Sequence, residues 1–177
     1  TWQQVLDAAT PHGLAPLCGS SPSVGVVGFL TGGGIGPLVR TVGVSGDHVR
    51  AFELVTGAGE ILRVTPTEHG DLFWGLRGGK ATLGIVTAVE IDLLPIAEFY
   101  GGAVYFDGLN AAAVVHAWRQ WCDSLPESVS TSIALLRLPE LPDVPPPLTG
   151  RFTVAVRYAA VGDFAEAEHL LASMRAV

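Results

Sequence analysis

The sequence predicts an α+β fold, and three observations carry that prediction. Its second half reads strand, helix, strand, strand, helix, the order of an α+β layer. Two stretches, Ile85 to Leu93 and Arg151 to Tyr158, alternate with the period of a half-buried strand, while the segments around them keep helical spacing. The third observation is the run from Ser20 to Gly36, SSPSVGVVGFLTGGGIG, which holds six glycines and no charged side chain. Whatever that run faces is met by bare backbone, because glycine lets main-chain atoms approach a ligand or a second chain closely. A phosphate or a flat ring fits such a neighbour, and so does a tight loop packed on a sheet.

The chain has 177 residues, room for one ordinary domain or for a small domain plus part of another. With 49% hydrophobic and 15% charged residues, and a mean hydropathy of +0.42, it needs extensive burial or surfaces covered by more chain. Net charge is −7 and no basic cluster is present, so a nucleic-acid partner is not expected. No membrane association is expected either, since Gly, Pro or a charge interrupts every apolar run before it could span a bilayer. The start, Thr1-Trp2-Gln3, does not read as a signal peptide. Cys18 and Cys122 stand alone without a CxxC, which makes a reducing, cytoplasmic setting the default. His12, His48, His69, His116 and His169 lack ligand spacing, and no metal is expected.

Taken in order, Thr1 to Ala9 predicts a helix with Trp2, Val5, Leu6 and Ala9 on one face, stopped by Pro11 and Gly13. Leu14 to Leu17 reads as extended, and the segment from Pro37 to Asp47 as a loop rich in turn residues. Val49 to Val55 and Ile61 to Val64 predict a hairpin around Gly57-Ala58-Gly59. Glu68 to Leu76 predicts a short helix burying Leu72, Phe73 and Leu76, closed by Gly78-Gly79. In the strand from Ile85, the alternation places Ile85, Thr87, Val89, Ile91 and Leu93 on one face and Val86, Ala88, Glu90 and Asp92 on the other. A subdomain boundary is expected near Ile96 to Tyr100, giving domains 1–97 and 98–177. Beyond it come a strand to Phe106, a helix from Asn110 to about Cys122 that buries the cysteine, and a strand over Ser130 to Leu138. The proline-rich stretch Leu141 to Pro147 is a surface loop or an extended connector. Arg151 to Tyr158 follows with Phe152, Val154, Val156 and Tyr158 inward, and then a helix opened by a capping box at Asp163 buries Phe164, Ala167, Leu171 and Met174.

Several chemistries lose their support. A GxGxxG fingerprint fails because Pro37, Leu38 and Val39 follow Gly36 where the third glycine should fall. Gly79-Lys80-Ala81-Thr82 is similar to the end of a Walker A loop, but Trp74 occupies the place of its first glycine. No GxSxG elbow and no HExxH helix occurs.

Five motifs then carry a resemblance: HGLAP at 12–16, GSSPSVGVVGFLTGGGIG at 19–36, GDHV at 46–49, GDLFWGLRGG at 70–79 and LGIVTAVEIDLLP at 83–95. In this order the chain resembles the FAD-linked oxidases of the vanillyl-alcohol oxidase superfamily, with their PCMH-type FAD-binding domain, and within them the berberine-bridge-enzyme-like branch. The resemblance covers about Thr1 to Pro95; from Ile96 onward only the element order is shared. It implies that residues 1–97 are the second subdomain of the FAD-binding domain and residues 98–177 the start of an α+β substrate domain. In the family an earlier subdomain supplies the first phosphate loop and usually a histidine joined to the flavin, and the catalytic base or tyrosine comes later, so no catalytic residue is expected within this chain.

Carried over by position, the resemblance implies that Gly19, Ser20 and Ser21 line the flavin's ribityl chain and ring edge, and that Val24, Gly25 and Gly28 border the ring and pyrophosphate. Gly32, Gly33, Gly34 and Gly36 let the chain pass under the pyrophosphate, and Ile85 and Val86 offer backbone groups to the adenine. For each of these the alternative is a glycine that only permits a turn, or, for Ile85, a core residue. Ser21 stands where many members carry a cysteine bonded to the flavin, so no cysteinyl link is expected. Phe29 replaces a histidine that contacts the ribityl chain in several relatives. Val24 matches a position that is small in oxygen-reactive members, which leans toward an oxidase. The expected function is part of an FAD-dependent oxidoreductase acting on an alcohol, sugar or secondary metabolite, with that small molecule and the remaining parts of the same enzyme as partners. A non-catalytic flavin-binding or structural module, and a proteolytic product of a larger assembly, are the alternatives.

Overall fold

A computed structural model describes residues 1–177, apart from the side chain of Ala81. The chain divides into two compact units, Thr1–Ala97 and Glu98–Val177.

In the first unit, helix α1 (Trp2–Ala9) buries Trp2 and Ala9, and Gly13 at φ 68° ends the turn that follows it. The extended segment after it pairs through Ala15 with Leu94, each amide donating to the other's carbonyl at 2.8 Å. The glycine-rich run is not a continuous ribbon, for its middle forms a short helix, α2 (Val26–Leu30). The segment from Pro37 to Asp47, read as loop, contains one helical turn, α3 (Val39–Val42), and most of a 3-10 turn over Ser45–His48. The predicted hairpin forms as β1 (Val49–Val55) and β2 (Ile61–Val64), with the Thr56 amide donating to Glu60 across the turn. Helix α4 (Gly70–Leu76) starts two residues later than its periodicity suggests and buries Phe73 and Leu76, with Leu72 partly buried against the same core.

Strand β3 (Ile85–Ile91) pairs antiparallel with β1, so the sheet order is β2-β1-β3. Here the predicted faces hold for Val89 and Ile91, which share the core face, and fail for Ile85 and Val86. Glu53 pairs with Ala88 but Leu54 with Val86, leaving Thr87 without a partner, and a second shift leaves Arg50 unpaired between Val49 and Ala51. An extra residue in one strand reverses the side-chain parity beyond it. Val86, Val89 and Ile91 therefore stand opposite the buried Leu54, Phe52 and Val49 and pack on the core, whereas Ile85 is 72% exposed. The bulged Thr87 turns its hydroxyl to the Glu53 carboxylate at 2.7 Å.

In the second unit, β4 (Tyr100–Asp107), β5 (Val129–Arg137) and β6 (Phe152–Ala160) form an antiparallel sheet of order β4-β6-β5 without register shifts. Helices α5 (Ala111–Ser124) and α6 (Phe164–Arg175) close its core through Val114, Trp121, Leu171 and Met174 against Val154 and Val156. As predicted, Asp163 caps α6, its carboxylate accepting from the Glu166 amide at 2.8 Å. Three burial expectations fail. Phe164, at the first position of α6, is 40% exposed and rests on the Tyr100 ring; Phe152, near the sheet's end, is 37% exposed; and Cys122 is half-buried. Between β5 and β6 the proline-rich stretch folds back on itself, with Leu138 and Thr149 bridged in parallel and Gly150 donating to Leu138. No helix is long and apolar enough to cross a membrane among the described residues.

Candidate functional site

The glycine-rich run is anchored from three sides. The Trp2 amide donates to Val24 at 3.0 Å and the Gln3 amide to Pro22 at 2.8 Å, so α1 pins the loop before α2. The amides of Ser45 and Gly46 donate to Gly34 and Gly33, each at 2.8 Å, and the Lys80 amide donates to Thr31 at 3.0 Å. Three chain segments distant in sequence thus fix one glycine turn.

What each glycine's missing side chain would meet divides the candidate residues into two groups. At Gly19 a Cβ would press on the Phe29 ring at 3.0 Å, and at Gly34, whose φ is +77°, it would meet that ring and Ser45. At Gly36 it would collide with the Cys18 carbonyl. These three are glycine because their own chain leaves no room. Phe29 explains two of them, for its ring stands edge-on to Trp2 at 5.6 Å and packs against the first unit's core. At Gly25, Gly28 and Gly33, by contrast, a Cβ would meet nothing within 4 Å. Gly33 has a positive φ of 93°, which by itself favours glycine. Gly25 and Gly28 have no such reason. Gly25 is extended at φ −69°, and Gly28 lies inside α2, where alanine would be the better helix former by about 1 kcal/mol. A position with room for a side chain, a conformation that tolerates one and yet only a hydrogen leaves the backbone open to close approach from outside; Gly57 and Gly70 share that openness, and the glycine-rich run is set apart by holding two such positions three residues apart.

Around this open face, Ser20, Ser21 and Val24 are exposed, Val24 at 41%. The Ser21 and Ser23 hydroxyls pair at 3.1 Å. Cys18 is half-buried, and its burial pushes the thiol above its ordinary pKa. At the other end, Ile85 is exposed and its neighbour Val86 packs inward, which removes the reading of Ile85 as core. A residue absent from the sequence-derived set precedes it: Gly84 has φ +150°, and a Cβ there would press on Leu54 Cδ1 at 2.6 Å and the Val55 carbonyl at 2.7 Å. Its place just before a strand was the available signal. Lys80 was missed as well, since only the folded chain brings its ammonium to the Gly28 carbonyl, 3.4 Å away. Arg77 lies over the Phe73 ring, 4.7 Å from its centre, and reaches Asp47 at 3.7 Å, joining α4 to the turn that holds Gly33 and Gly34.

The arrangement is a surface of backbone, hydroxyls, the apolar side chains of Val24 and Ile85 and the Lys80 ammonium, and apart from the Arg77–Asp47 ion pair no titratable side chains meet among the residues named above. Such a surface can hold a flat, polar-edged group and bring no proton-transfer chemistry to it.

Comparison with known proteins bears on what that group is. Residues 1–65 match the family model described as an FAD binding domain. The chain is 44% identical over 92 residues to the FAD-dependent monooxygenase yanF of Aspergillus niger, covering 52% of this chain and 16% of that protein. It is 36% identical over 121 residues to tetrahydroberberine oxidase of Argemone mexicana, covering 67% of this chain and 22% of that one. Among solved structures, 6-hydroxy-D-nicotine oxidase of Arthrobacter nicotinovorans superposes with a TM-score of 0.81 at 23% identity, over 98% of this chain and 37% of its own. A berberine-bridge-enzyme-like protein of Physcomitrella patens superposes with a TM-score of 0.78 at 18% identity, over 98% and 35%. The chain spans about a fifth of the length of these curated relatives. The chain is thus similar in sequence to FAD-linked oxidoreductases, its residues 1–65 match an FAD binding domain, and it shares the α+β fold of the solved structures named above.

Proposed function

We propose that this chain supplies one wall of the FAD site of an FAD-dependent oxidoreductase, an oxidase acting on an alcohol, sugar or secondary metabolite. The observation that carries the reading is the pair Gly25 and Gly28, bare without any reason in their own fold and lying in the segment matched to an FAD binding domain. In this reading Gly19, Ser20 and Ser21 meet the ribityl chain and ring edge, and Val24, Gly25 and Gly28 border the ring and diphosphate. Gly32, Gly33, Gly34 and Gly36 carry the chain beneath the diphosphate, while the backbone at Ile85 and Val86 meets the adenine. When bound, the flavin supplies a two-electron acceptor that passes its electrons to oxygen. The residues of this chain bind and orient it: the packed Phe29, the pinned turn at Gly33 and Gly34 and the bulged β3 hold the wall in shape before the cofactor arrives, which lowers the cost of ordering on binding. Residues 98–177 begin the substrate domain.

The test is to purify the full-length protein and measure flavin absorbance and the rise in melting temperature with added FAD, which follows from binding to the folded state alone. A yellow protein, or one that FAD stabilises, is expected; a colourless, folded protein indifferent to FAD contradicts the proposal. Reduction of the bound flavin by an alcohol or sugar then separates an enzyme from a module that only holds the cofactor.

A further inference from the structure

Lys80 is the chain's single lysine. Its backbone adopts φ +62°, the left-handed region in which a non-glycine residue is strained and glycine is at ease. Strain of that kind persists where the surrounding structure holds it, and it is concentrated at ligand clamps. The surroundings here are specific. The Lys80 amide donates to the Thr31 carbonyl, and its ammonium lies 3.4 Å from the Gly28 carbonyl and so close to Gly32 that a Cβ there would fall 2.5 Å from Nζ. An ammonium has three donors, and one long bond to a carbonyl leaves two of them for another acceptor. No carboxylate takes them among the described residues, where the ion pairs engage Arg50, Arg63, Arg77 and Arg175.

The location narrows the acceptor. On one side the Lys80 ammonium lies beside Gly28, assigned above to the ring and diphosphate, and beside Gly32, assigned to the diphosphate. On the other side the 3-10 turn Lys80–Leu83 leads through Gly84 directly into Ile85, assigned to the adenine end. In a flavin dinucleotide the group between ring and adenine is the diphosphate, and an ammonium is a point charge suited to phosphate oxygens. We propose that Lys80 binds the diphosphate of the dinucleotide, supplying the cation that the glycine-rich run lacks. This assignment rests on the FAD reading above and adds to it a charged contact from a loop distant in sequence.

The experiment uses the full-length protein stripped of flavin, titrated with FAD and separately with riboflavin, which has no phosphate, and followed by flavin fluorescence at low and physiological salt. Lys80→Gly removes the charge and relieves the backbone strain, so that a loss of binding is not a loss of folding; Lys80→Arg keeps the charge. The expected result is an FAD affinity about 10-fold weaker in Lys80→Gly, as for a lost charge-assisted hydrogen bond, with a smaller dependence on salt, riboflavin binding unchanged, and most of the FAD affinity kept in Lys80→Arg. An unaltered FAD affinity in Lys80→Gly, or an equal loss for riboflavin, overturns the assignment while leaving the flavin reading standing. A wild-type protein that binds neither flavin overturns the FAD reading itself, and the lysine assignment with it.

Discussion

The two three-stranded sheets make an instructive pair. Both are antiparallel and both put a long strand in the middle, β1 in one unit and β6 in the other. The ladders of β6 run without interruption from residue 152 to 160, pairing every residue with both neighbours or with one. The ladder of β1 with β3 is broken twice, at Arg50 and at Thr87. In the second unit the unbroken register keeps Val154 and Val156 in the core as their spacing requires, although Thr153 and Ala155 between them are buried as well. In the first unit the cleanest alternation in the whole chain gives the wrong face for Ile85 and Val86. The difference teaches that a period of two is a statement about an unbroken ladder, and that a single unpaired residue transfers an isoleucine from the core to the surface.

The largest effect that would sharpen this contrast comes from the core of each unit. Leu54→Ala in β1 and Leu171→Ala in α6 each empty a fully buried site, and each is expected to destabilise its unit by about 2–5 kcal/mol in urea unfolding. If Leu54 responded like a surface residue, the parity assigned to β3 would be broken, because Val86 is placed inside as the partner of Leu54.

Next comes the glycine contrast inside the first unit. Gly84→Ala, with a positive φ and no room for a methyl, is expected to lower stability by about 1–3 kcal/mol. Gly28→Ala is expected to act in the opposite sense, raising stability by up to about 1 kcal/mol through helix propensity while weakening FAD binding. Thermal melts with and without FAD separate the two. A Gly28→Ala protein that binds FAD as tightly as the original would remove the reason for assigning this glycine to the cofactor.

Of smaller size are two threonines that serve the sheets differently. Thr131 of β5 donates to the Arg157 carbonyl at 2.7 Å and accepts from the Trp118 indole at 3.0 Å. Thr131→Val leaves that partly buried indole unpaired and is expected to cost about 1–3 kcal/mol. Thr87→Val at the exposed bulge loses only its bond to Glu53, and a change under about 1.5 kcal/mol is expected in the same unfolding assay.

The smallest effect is a pH dependence. Arg63 holds Glu90 by two hydrogen bonds, at 2.7 and 2.9 Å, and keeps its carboxyl below the usual carboxylate range. A group whose folded pKa is depressed contributes stability that is present above its unfolded pKa and lost as pH falls through the folded value. Stability measured across the acid range should therefore fall slightly less on acidification in Glu90→Gln than in the original. Both side chains are more than half exposed, so the difference is also expected to shrink with salt.

Much of the fold was legible. The hairpin, the three amphipathic helices and the middle strand of the second unit all follow from spacing, caps and turn residues, and the Asp163 cap from a single local motif. The helical turns at Val26–Leu30 and Val39–Val42 were not legible, because so few residues, glycine among them, carry no helical period. The site was legible as a run of glycines but not as two kinds of glycine. Gly36 faces a carbonyl eighteen positions back and Gly34 faces a ring five positions back together with Ser45, whereas Gly28 faces nothing. No local pattern distinguishes these. Lys80 and Gly84 escaped for the same reason, since their significance lies in what the fold carries toward them.

The bridge between Ala15 and Leu94 has a kinetic consequence. It joins the segment leading into the glycine-rich run to the segment leaving β3, so closing it encloses nearly the whole first unit, and contacts so remote along a chain are slow to form. The entrance to the glycine-rich run is thus held by one of the slow contacts of the first unit. Amide exchange there should report an opening of lower free energy than in β1.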